Sequence, residues 1–229
     1  MVYDAKLDWS SIHKSQNNLA YPAEGVIRIF KGAYPNLHMP KPNYGNILDL
    51  GCGDGRHFPL FQEIGLSAFG TEISGEICSK IRENLIERNV LFADIQPGTT
   101  NSLPFQSAFF DYLLSWNSCY YMTAGGETEF ENHVFEMARV LKMGGWIICS
   151  IPKNTNFIYK NSRLLKNGYR ILAKDPWGFR EGEILKYFES KSEIESEFGK
   201  LFVDFCHADI DMDWFGLNYH WHVFVAKRK

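Results

Sequence analysis

Residues 45–74, "GNILDLGCGDGRHFPLFQEIGLSAFGTEIS", decide the fold. An apolar run, NILDL, leads into a turn with three glycines, and a helix-forming stretch connects this turn to a second apolar run, AFGTE. This order is typical of a β-α-β unit in a parallel sheet. Gly51, Gly53 and Gly55 allow a sharp turn and let a ligand approach the backbone without a Cβ in the way. The stretch therefore predicts a ligand-binding turn at the end of the first strand.

Two acids indicate which ligand the turn accepts. Glu72 ends the second strand, about twenty residues after the first glycine, where a carboxylate can accept both hydroxyls of a ribose. A dinucleotide fingerprint would have its third glycine at the position of Arg56. Asp49, at the end of the first strand, would be unfavourable beside a pyrophosphate but suits a ligand with an ammonium and a sulfonium. The turn therefore favours S-adenosylmethionine over NAD.

The remaining chain alternates short apolar runs with longer amphipathic ones, which predicts a parallel sheet with crossover helices. The last two strands lack a helix-length spacer and are expected to pair antiparallel at one edge. Predicted strands cover 46–50, 68–72, 90–93, 110–115, 145–151, 200–207 and 219–227, and predicted helices cover 56–64, 75–88 and 127–141.

Two further segments complete a resemblance that begins with "ILDLGCGDGR". They are "LFADIQPGTTNSLPFQSAFFDYLLSWNSCYYM" and "EMARVLKMGGWIICSIP", and they follow in the same order over residues 45–152. Together they resemble the class I S-adenosylmethionine-dependent methyltransferases. The resemblance implies an α/β, Rossmann-like sheet of seven mostly parallel strands with an antiparallel edge hairpin and helices on both faces. It also implies S-adenosyl-L-methionine as the cofactor.

We interpret 1–229 as a single methyltransferase domain. Residues 1–44 form an amino-terminal cap segment and 45–152 the cofactor-binding core. Residues 153–199 mix basic, aromatic and turn residues, and we expect a partly helical insertion on the acceptor side. Residues 200–229 hold the final two strands.

The resemblance assigns parts of the cofactor to individual positions. Tyr21 is added because Pro22 can start a helix and aim the preceding ring inward. His57 either faces the cofactor or begins the exposed side of the first helix. The implied contacts are Asp49, Gly51 and Gly53 with the methionine moiety, Glu72 with the ribose, Asp94 with the adenine amine, Ile73 and Ile95 with the adenine faces, and Ser115 with the surroundings of the sulfonium.

Acceptor binding is expected from Trp116 and Tyr120, which follow the fourth strand, and from Trp177 and Arg180 in the late insertion. If the acceptor is a hydroxyl or an ammonium, a base must take its proton, and we select His13 and His220 because a neutral imidazole suits that task near pH 7. Tyr120 completes the predicted catalytic group as the tyrosine facing the acceptor.

The leading hypothesis is a cytoplasmic methyltransferase for an oxygen or nitrogen of a small polar metabolite, such as a sugar or a phosphorylated compound. RNA or protein methylation, and a non-catalytic cofactor-binding regulatory protein of the same fold, are the alternatives. The formal net charge of −3 and the lack of a long basic run disfavour nucleic acid. Scattered cysteines without CxxC pairs predict no metal site, and we expect no membrane association and a monomer or homodimer.

Overall fold

The computed structural model describes residues 21–122, 129–165 and 168–229. The predicted base His13 lies outside these residues. Within them, seven strands form the main sheet in the spatial order β3-β2-β1-β4-β5-β10-β9. These strands are β1 Asn46–Leu50, β2 Ser67–Glu72, β3 Asp94–Pro97, β4 Phe110–Trp116, β5 Leu141–Pro152, β9 Phe202–Trp214 and β10 Leu217–Arg228.

Strands β1 to β5 pair in parallel, whereas β10 pairs antiparallel with both β5 and β9. The predicted sheet with an antiparallel edge hairpin is therefore confirmed. Six helices occur in the described ranges: α1 Glu24–Lys31, α2 Phe58–Glu63, α3 Gly75–Glu87, α4 Phe130–Val140, α5 Phe157–Lys160 and α6 Lys191–Phe198.

Helices cover both faces of the sheet because consecutive residues of β1 face opposite sides. Ile47 packs in one core cluster with Val26 of α1 and Ile81 of α3. Its neighbour Leu48 packs in a second cluster with Val134 of α4. Strand β1 is thus buried on both sides, as expected for a central strand of a parallel sheet.

The third strand lies later in the chain than predicted. Helix α3 ends with Asn89 in a left-handed conformation (φ 55°), and the Val90 N–H donates to the Leu85 carbonyl. Val90 and Phe92 then pack against the core from the connecting segment rather than from a strand. Their apolar character reflects this packing, and β3 starts only at Asp94.

A second, three-stranded antiparallel sheet lies in the insertion, where we predicted only partial helix. It consists of β6 Ser162–Leu164, β7 Tyr169–Leu172 and β8 Ile184–Lys186. An isolated bridge between Tyr121 and Leu185 ties this small sheet to the loop that follows β4. In the described part of the chain, no helix has the length and apolar character needed to cross a membrane.

Candidate active site

A cavity of about 430 Å³ opens at the carboxyl ends of β1, β2 and β4. This is the edge where open α/β sheets bind their ligands. One end, which we call the glycine end, is formed by Gly51, Gly53, His57, Glu72 and Ile73. The other end, which we call the aromatic end, is formed by Tyr120, Phe157, Trp177, Arg180, Tyr219 and Trp221.

Gly51 and Gly53 both have left-handed backbone conformations, with φ of +65° and +61°. A Cβ on Gly51 would lie 2.8 Å from the Cβ of Ser118, so that position has no room for a side chain. A Cβ on Gly53 would meet nothing within 4 Å. The backbone at Gly53 therefore borders the open space of the cavity, as the sequence predicted for a ligand-binding turn.

Glu72 is held by backbone amides on both sides of its carboxylate. Its Oε1 accepts from the Gly53 N–H at 2.8 Å, and its Oε2 accepts from the Ile73 N–H at 3.1 Å. Burial raises the pKa of Glu72 to about 7 in spite of these two hydrogen bonds. Each carboxylate oxygen keeps a further lone pair that can accept a hydroxyl group of a ligand.

Asp49 lies behind the glycine end and not at the cavity surface. Its Oδ2 is 2.9 Å from Nδ1 of His57, and the side chains are 1% and 4% exposed. His57 itself does border the cavity. Asp49 therefore contacts His57, and the His57 ring is the part of this pair that borders the cavity. The sequence analysis left the role of His57 open.

The late start of β3 moves the predicted adenine contacts away from the cavity. Glu72 pairs with Pro97, whereas Asp94 pairs with Phe69, three residues or about 10 Å further from the cavity edge. Asp94 accepts from the Ile95 N–H at 2.8 Å, and Ile95 is fully buried in the core. Asp94 and Ile95 therefore do not border the cavity, and their predicted adenine contacts have no support in this structure.

The loop after β3 supplies the residues that the sequence analysis missed. Gly98, Thr99 and Thr100 border the cavity, and the Gly98 N–H donates to the Glu72 carbonyl at 2.9 Å. Ile73, on the other hand, borders the cavity as predicted. The turn-forming GTTN sequence, residues 98–101, is the signal that could have located them.

Ser115 is fully buried behind the wall of the cavity. Its Oγ lies 2.9 Å from the Ser118 Oγ and accepts from the Cys119 N–H at 3.2 Å. Ser118, which borders the cavity, donates to the Leu50 carbonyl at 2.6 Å. Ser115 therefore supports Ser118 instead of facing a ligand directly.

Close ring contacts organise the aromatic end. The ring of Phe157 lies 5.6 Å from that of Trp177 and 5.2 Å from that of Tyr219, and the Tyr120 ring lies 6.1 Å from that of Trp221. Such contacts favour defined ring orientations. The predicted acceptor residues Trp116, Tyr120, Trp177 and Arg180 all border the cavity.

Tyr120 is fully buried, and its hydroxyl has no hydrogen-bond partner among the described residues. Burial raises the pKa of Tyr120 well above its usual value. The hydroxyl is therefore neutral and can donate a hydrogen bond, but it is not suited to act as a base. This corrects the catalytic part of its predicted role and keeps the acceptor-binding part.

Arg180 is fixed in the wall of the aromatic end by a buried acid. Its Nη2 lies 2.6 Å from Asp175 Oδ1, and its Nη1 donates to the Tyr121 hydroxyl at 3.2 Å. The second oxygen of Asp175 accepts from the backbone N–H groups of Phe179 and Arg180. Burial opposes the charge of Arg180, but Tyr121 and Asp175 outweigh it and raise its pKa, so the guanidinium remains charged.

Two further predicted residues, His220 and Tyr21, lie away from the cavity. Tyr219 and Trp221 of β10 face the cavity, and strand alternation turns His220 to the opposite face. There its Nδ1 lies 2.8 Å from the Thr155 hydroxyl and its Nε2 lies 3.1 Å from Asp213. The predicted base His220 therefore does not border the cavity. Tyr21 is 82% exposed and does not border the cavity either.

Residues 48–149 match the family model described as "Methyltransferase domain". The chain carries a methyltransferase domain. Together with the fold, this match is consistent with an S-adenosyl-L-methionine-dependent methyltransferase of class I. No curated protein sequence matches the chain.

Solved structures similar to this methyltransferase share its fold at low sequence identity. The PH0226 protein of Pyrococcus horikoshii OT3 is 20% identical, with a TM-score of 0.65 over 96% of this chain and 99% of that one. An S-adenosylmethionine-dependent methyltransferase of Methanosarcina mazei is 19% identical, with a TM-score of 0.63 over 86% and 98%. A methyltransferase structure from Haloferax volcanii, solved with the Trm112 methyltransferase activator, is 17% identical, with a TM-score of 0.63 over 100% and 97%.

The glycine end of the methyltransferase fits its cofactor, S-adenosyl-L-methionine. Glu72 offers free lone pairs to ribose hydroxyls, the open space at Gly53 leaves room for the ligand beside the backbone, and His57 has a buried ring nitrogen without a partner among the described residues. No group of three or more metal-ligating side chains occurs in the described ranges.

Proposed function

We propose that this methyltransferase transfers a methyl group to an oxygen or nitrogen of a small polar metabolite, such as a sugar or a phosphorylated compound. The observation that carries the proposal is that one cavity joins the glycine end to an aromatic end with a fixed arginine. A cofactor bound at Glu72 and an acceptor bound at Arg180 would thus share one cavity.

The size of the cavity favours a small acceptor. Sites for small molecules typically measure about 300–1,000 Å³, and this cavity measures about 430 Å³ and must also hold the cofactor. The rings of Phe157, Trp177 and Tyr219 form its far wall. An RNA strand or a folded protein would need a groove that extends beyond this wall.

The chemistry of the aromatic end favours a polar acceptor with an anionic or oxygen-rich group. Arg180 presents five N–H groups, of which two serve Asp175 and Tyr121 in the contacts described above. The neutral hydroxyl of Tyr120 adds a donor at the same end. Carboxylate, phosphate and sugar oxygens are the groups that such donors recognise.

The residues around the cavity support catalysis by positioning. When bound, S-adenosyl-L-methionine supplies an electrophilic methyl group, and the transfer requires in-line alignment of the acceptor. Arg180 and Tyr120 would orient the acceptor, and Trp116 and Phe157 would exclude water from it. In the described part of the chain, the histidine that borders the cavity is His57, which lies at the glycine end. A histidine base at the aromatic end therefore has no support in these residues. His13 stays a prediction.

The test is transfer of labelled methyl groups from S-adenosyl-L-methionine to three fractions of a cell extract: small metabolites, RNA and protein. The proposal predicts label in the small-metabolite fraction, and predicts that Arg180→Ala greatly reduces it. Label in RNA or protein would establish the corresponding alternative. Cofactor binding without label in any fraction would favour a non-catalytic regulatory protein.

A further inference from the structure

The imidazole of His57 lies between a buried acid and the cavity. Its Nδ1 is 2.9 Å from Asp49 Oδ2, and only 4% of its side chain is exposed. Its Nε2 is buried and has no hydrogen-bond partner among the residues that the structure describes. A buried polar atom without a partner is unfavourable, so a ligand that supplies one gains affinity at this position.

Asp49 determines which hydrogen bond His57 can make. An ionised carboxylate only accepts hydrogen bonds, so Nδ1 carries the proton in the neutral imidazole. Nε2 then has a lone pair and needs a donor. The pair thus resembles the arrangement by which a carboxylate orients a metal-binding histidine, with the cavity in place of the metal.

The cofactor supplies such a donor at this end of the cavity. Glu72, with its free lone pairs, fits the ribose, and the amino-acid part of the cofactor must then extend from there along Gly51 and Gly53. Of its two polar groups, the ammonium donates hydrogen bonds and the carboxylate accepts them. We propose that Nε2 of His57 accepts a hydrogen bond from the α-ammonium group of S-adenosyl-L-methionine, with Asp49 as the residue that positions the ring.

The charged groups around His57 favour a cationic ligand. Asp49 of β1, Glu72 of β2 and Asp54 of the turn are acidic, and Arg56 of the turn is the basic neighbour at the cavity surface. On α2 the ring faces the apolar Phe61, at 6.3 Å between ring centroids. This mainly acidic surrounding attracts the ammonium and the sulfonium of the cofactor.

Three ligands separate this contact from other contributions to affinity. S-adenosylhomocysteine has both the ammonium and the carboxylate, decarboxylated S-adenosylmethionine has the ammonium alone, and 5′-methylthioadenosine has neither. For His57→Phe, calorimetry should show a loss of about 10- to 100-fold for the first two ligands, the loss expected for a hydrogen bond to a charged group. The affinity for 5′-methylthioadenosine should change less than about twofold, since this ligand never makes the contact.

Further variants separate loss of the contact from loss of folding. His57→Phe leaves the Asp49 carboxylate unpaired, so the double variant Asp49→Leu with His57→Phe removes both partners of the pair. His57→Gln keeps an amide oxygen that can accept the hydrogen bond and should retain most of the affinity. His133→Phe is the matched control, because His133 is also buried with an unpartnered Nε2 but does not border the cavity.

Three results would overturn the proposal. Unchanged affinity for all ligands in a folded His57→Phe protein would make His57 a core residue. An equal loss for all three ligands would mean that it shapes the turn. A loss for S-adenosylhomocysteine but not for decarboxylated S-adenosylmethionine would assign the contact to the carboxylate. The inference depends on the cofactor and not on the proposed acceptor. If the wild-type protein did not bind S-adenosylhomocysteine, the cofactor assignment itself would fail, and that result is distinguishable from the three above.

Discussion

The Gly53 N–H donates to Glu72 Oε1 at 2.8 Å, so the glycine turn and the acid at the end of β2 form one unit. Burial raises the pKa of Glu72 to about 7 in the ligand-free protein. Ribose hydroxyls donate to the ionised carboxylate, so cofactor binding lowers this pKa and releases a proton. The ionised fraction at pH 6 is about one tenth, and the affinity should therefore rise about tenfold between pH 6 and pH 8.

Calorimetry of S-adenosylhomocysteine binding over this range measures the effect, and buffers of different ionisation enthalpy report the released proton. Glu72→Gln should bind about 10- to 100-fold more weakly at pH 8 and lose this pH dependence. An affinity that is flat with pH in the wild type would contradict the role of Glu72.

The same carboxyl affects the stability of the ligand-free protein in the opposite direction. The folded state keeps the proton up to a pH of about 7, whereas the unfolded chain releases it near the ordinary value of 4.5. The free energy of unfolding should therefore fall by up to about 3 kcal/mol as the pH rises through this window. Urea unfolding at pH 5 and pH 8 should show a smaller fall for Glu72→Gln than for the wild type.

Gly53→Val should abolish cofactor binding, because its side chain would occupy the open space where a ligand meets the backbone. Gly216→Val is the matched control: Gly216 also has a positive φ (+89°), and a Cβ there would also meet nothing within 4 Å. Both variants should unfold at lower urea concentrations than the wild type. Retained binding in folded Gly53→Val, or equal loss in both variants, would contradict the proposed position of the ligand.

Arg180→Ala should lower kcat/KM for the acceptor by about 30- to 1,000-fold, the loss expected for a buried charged contact, with little change in cofactor affinity. Arg180→Lys should fall between, since lysine keeps the charge but not the planar fork. The exposed Arg163→Ala is the control and should resemble the wild type. If Arg180→Ala turned over the true acceptor normally, the aromatic end would not be the acceptor site.

Asp94→Asn should leave the Kd for S-adenosylhomocysteine within about twofold of the wild type, since substitutions away from a site have small effects. Thr100→Phe should weaken binding about 5- to 100-fold, because the ring would crowd the cavity beside Glu72. The reverse ranking of these two variants would restore Asp94 as an adenine contact.

The sequence specified the glycine end well because the signals there are local. Thirty residues contain the turn, Glu72 and the two flanking strands. The ends of these strands place the turn and Glu72 at the same edge of the sheet. Strand β3 was misplaced because the apolar residues Val90 and Phe92 pack against the core from the segment after α3 instead of pairing in the sheet. Apolar character alone does not distinguish a connecting segment that packs against the core from a strand that pairs in the sheet.

The errors at the aromatic end have a different cause. Strands β6 to β8 have only three or four residues each, too few to show a period. Whether His220 or its neighbours face the cavity depends on the strand register. A register shift of one residue would turn every side chain of the strand to the opposite face. Arg180 could be selected from its aromatic surroundings in the sequence, but its fixation by Asp175 and Tyr121 appears only in the folded chain.

A crystal structure of the protein with S-adenosylhomocysteine tests most directly the claim that the cavity holds the cofactor at its glycine end and the acceptor at its aromatic end. The account predicts both ribose hydroxyl oxygens about 2.5–3.0 Å from the Glu72 carboxylate, with the sulfur facing the side of Trp116 and Tyr120. A ribose bound away from Glu72, or a sulfur directed away from the aromatic end, would contradict it.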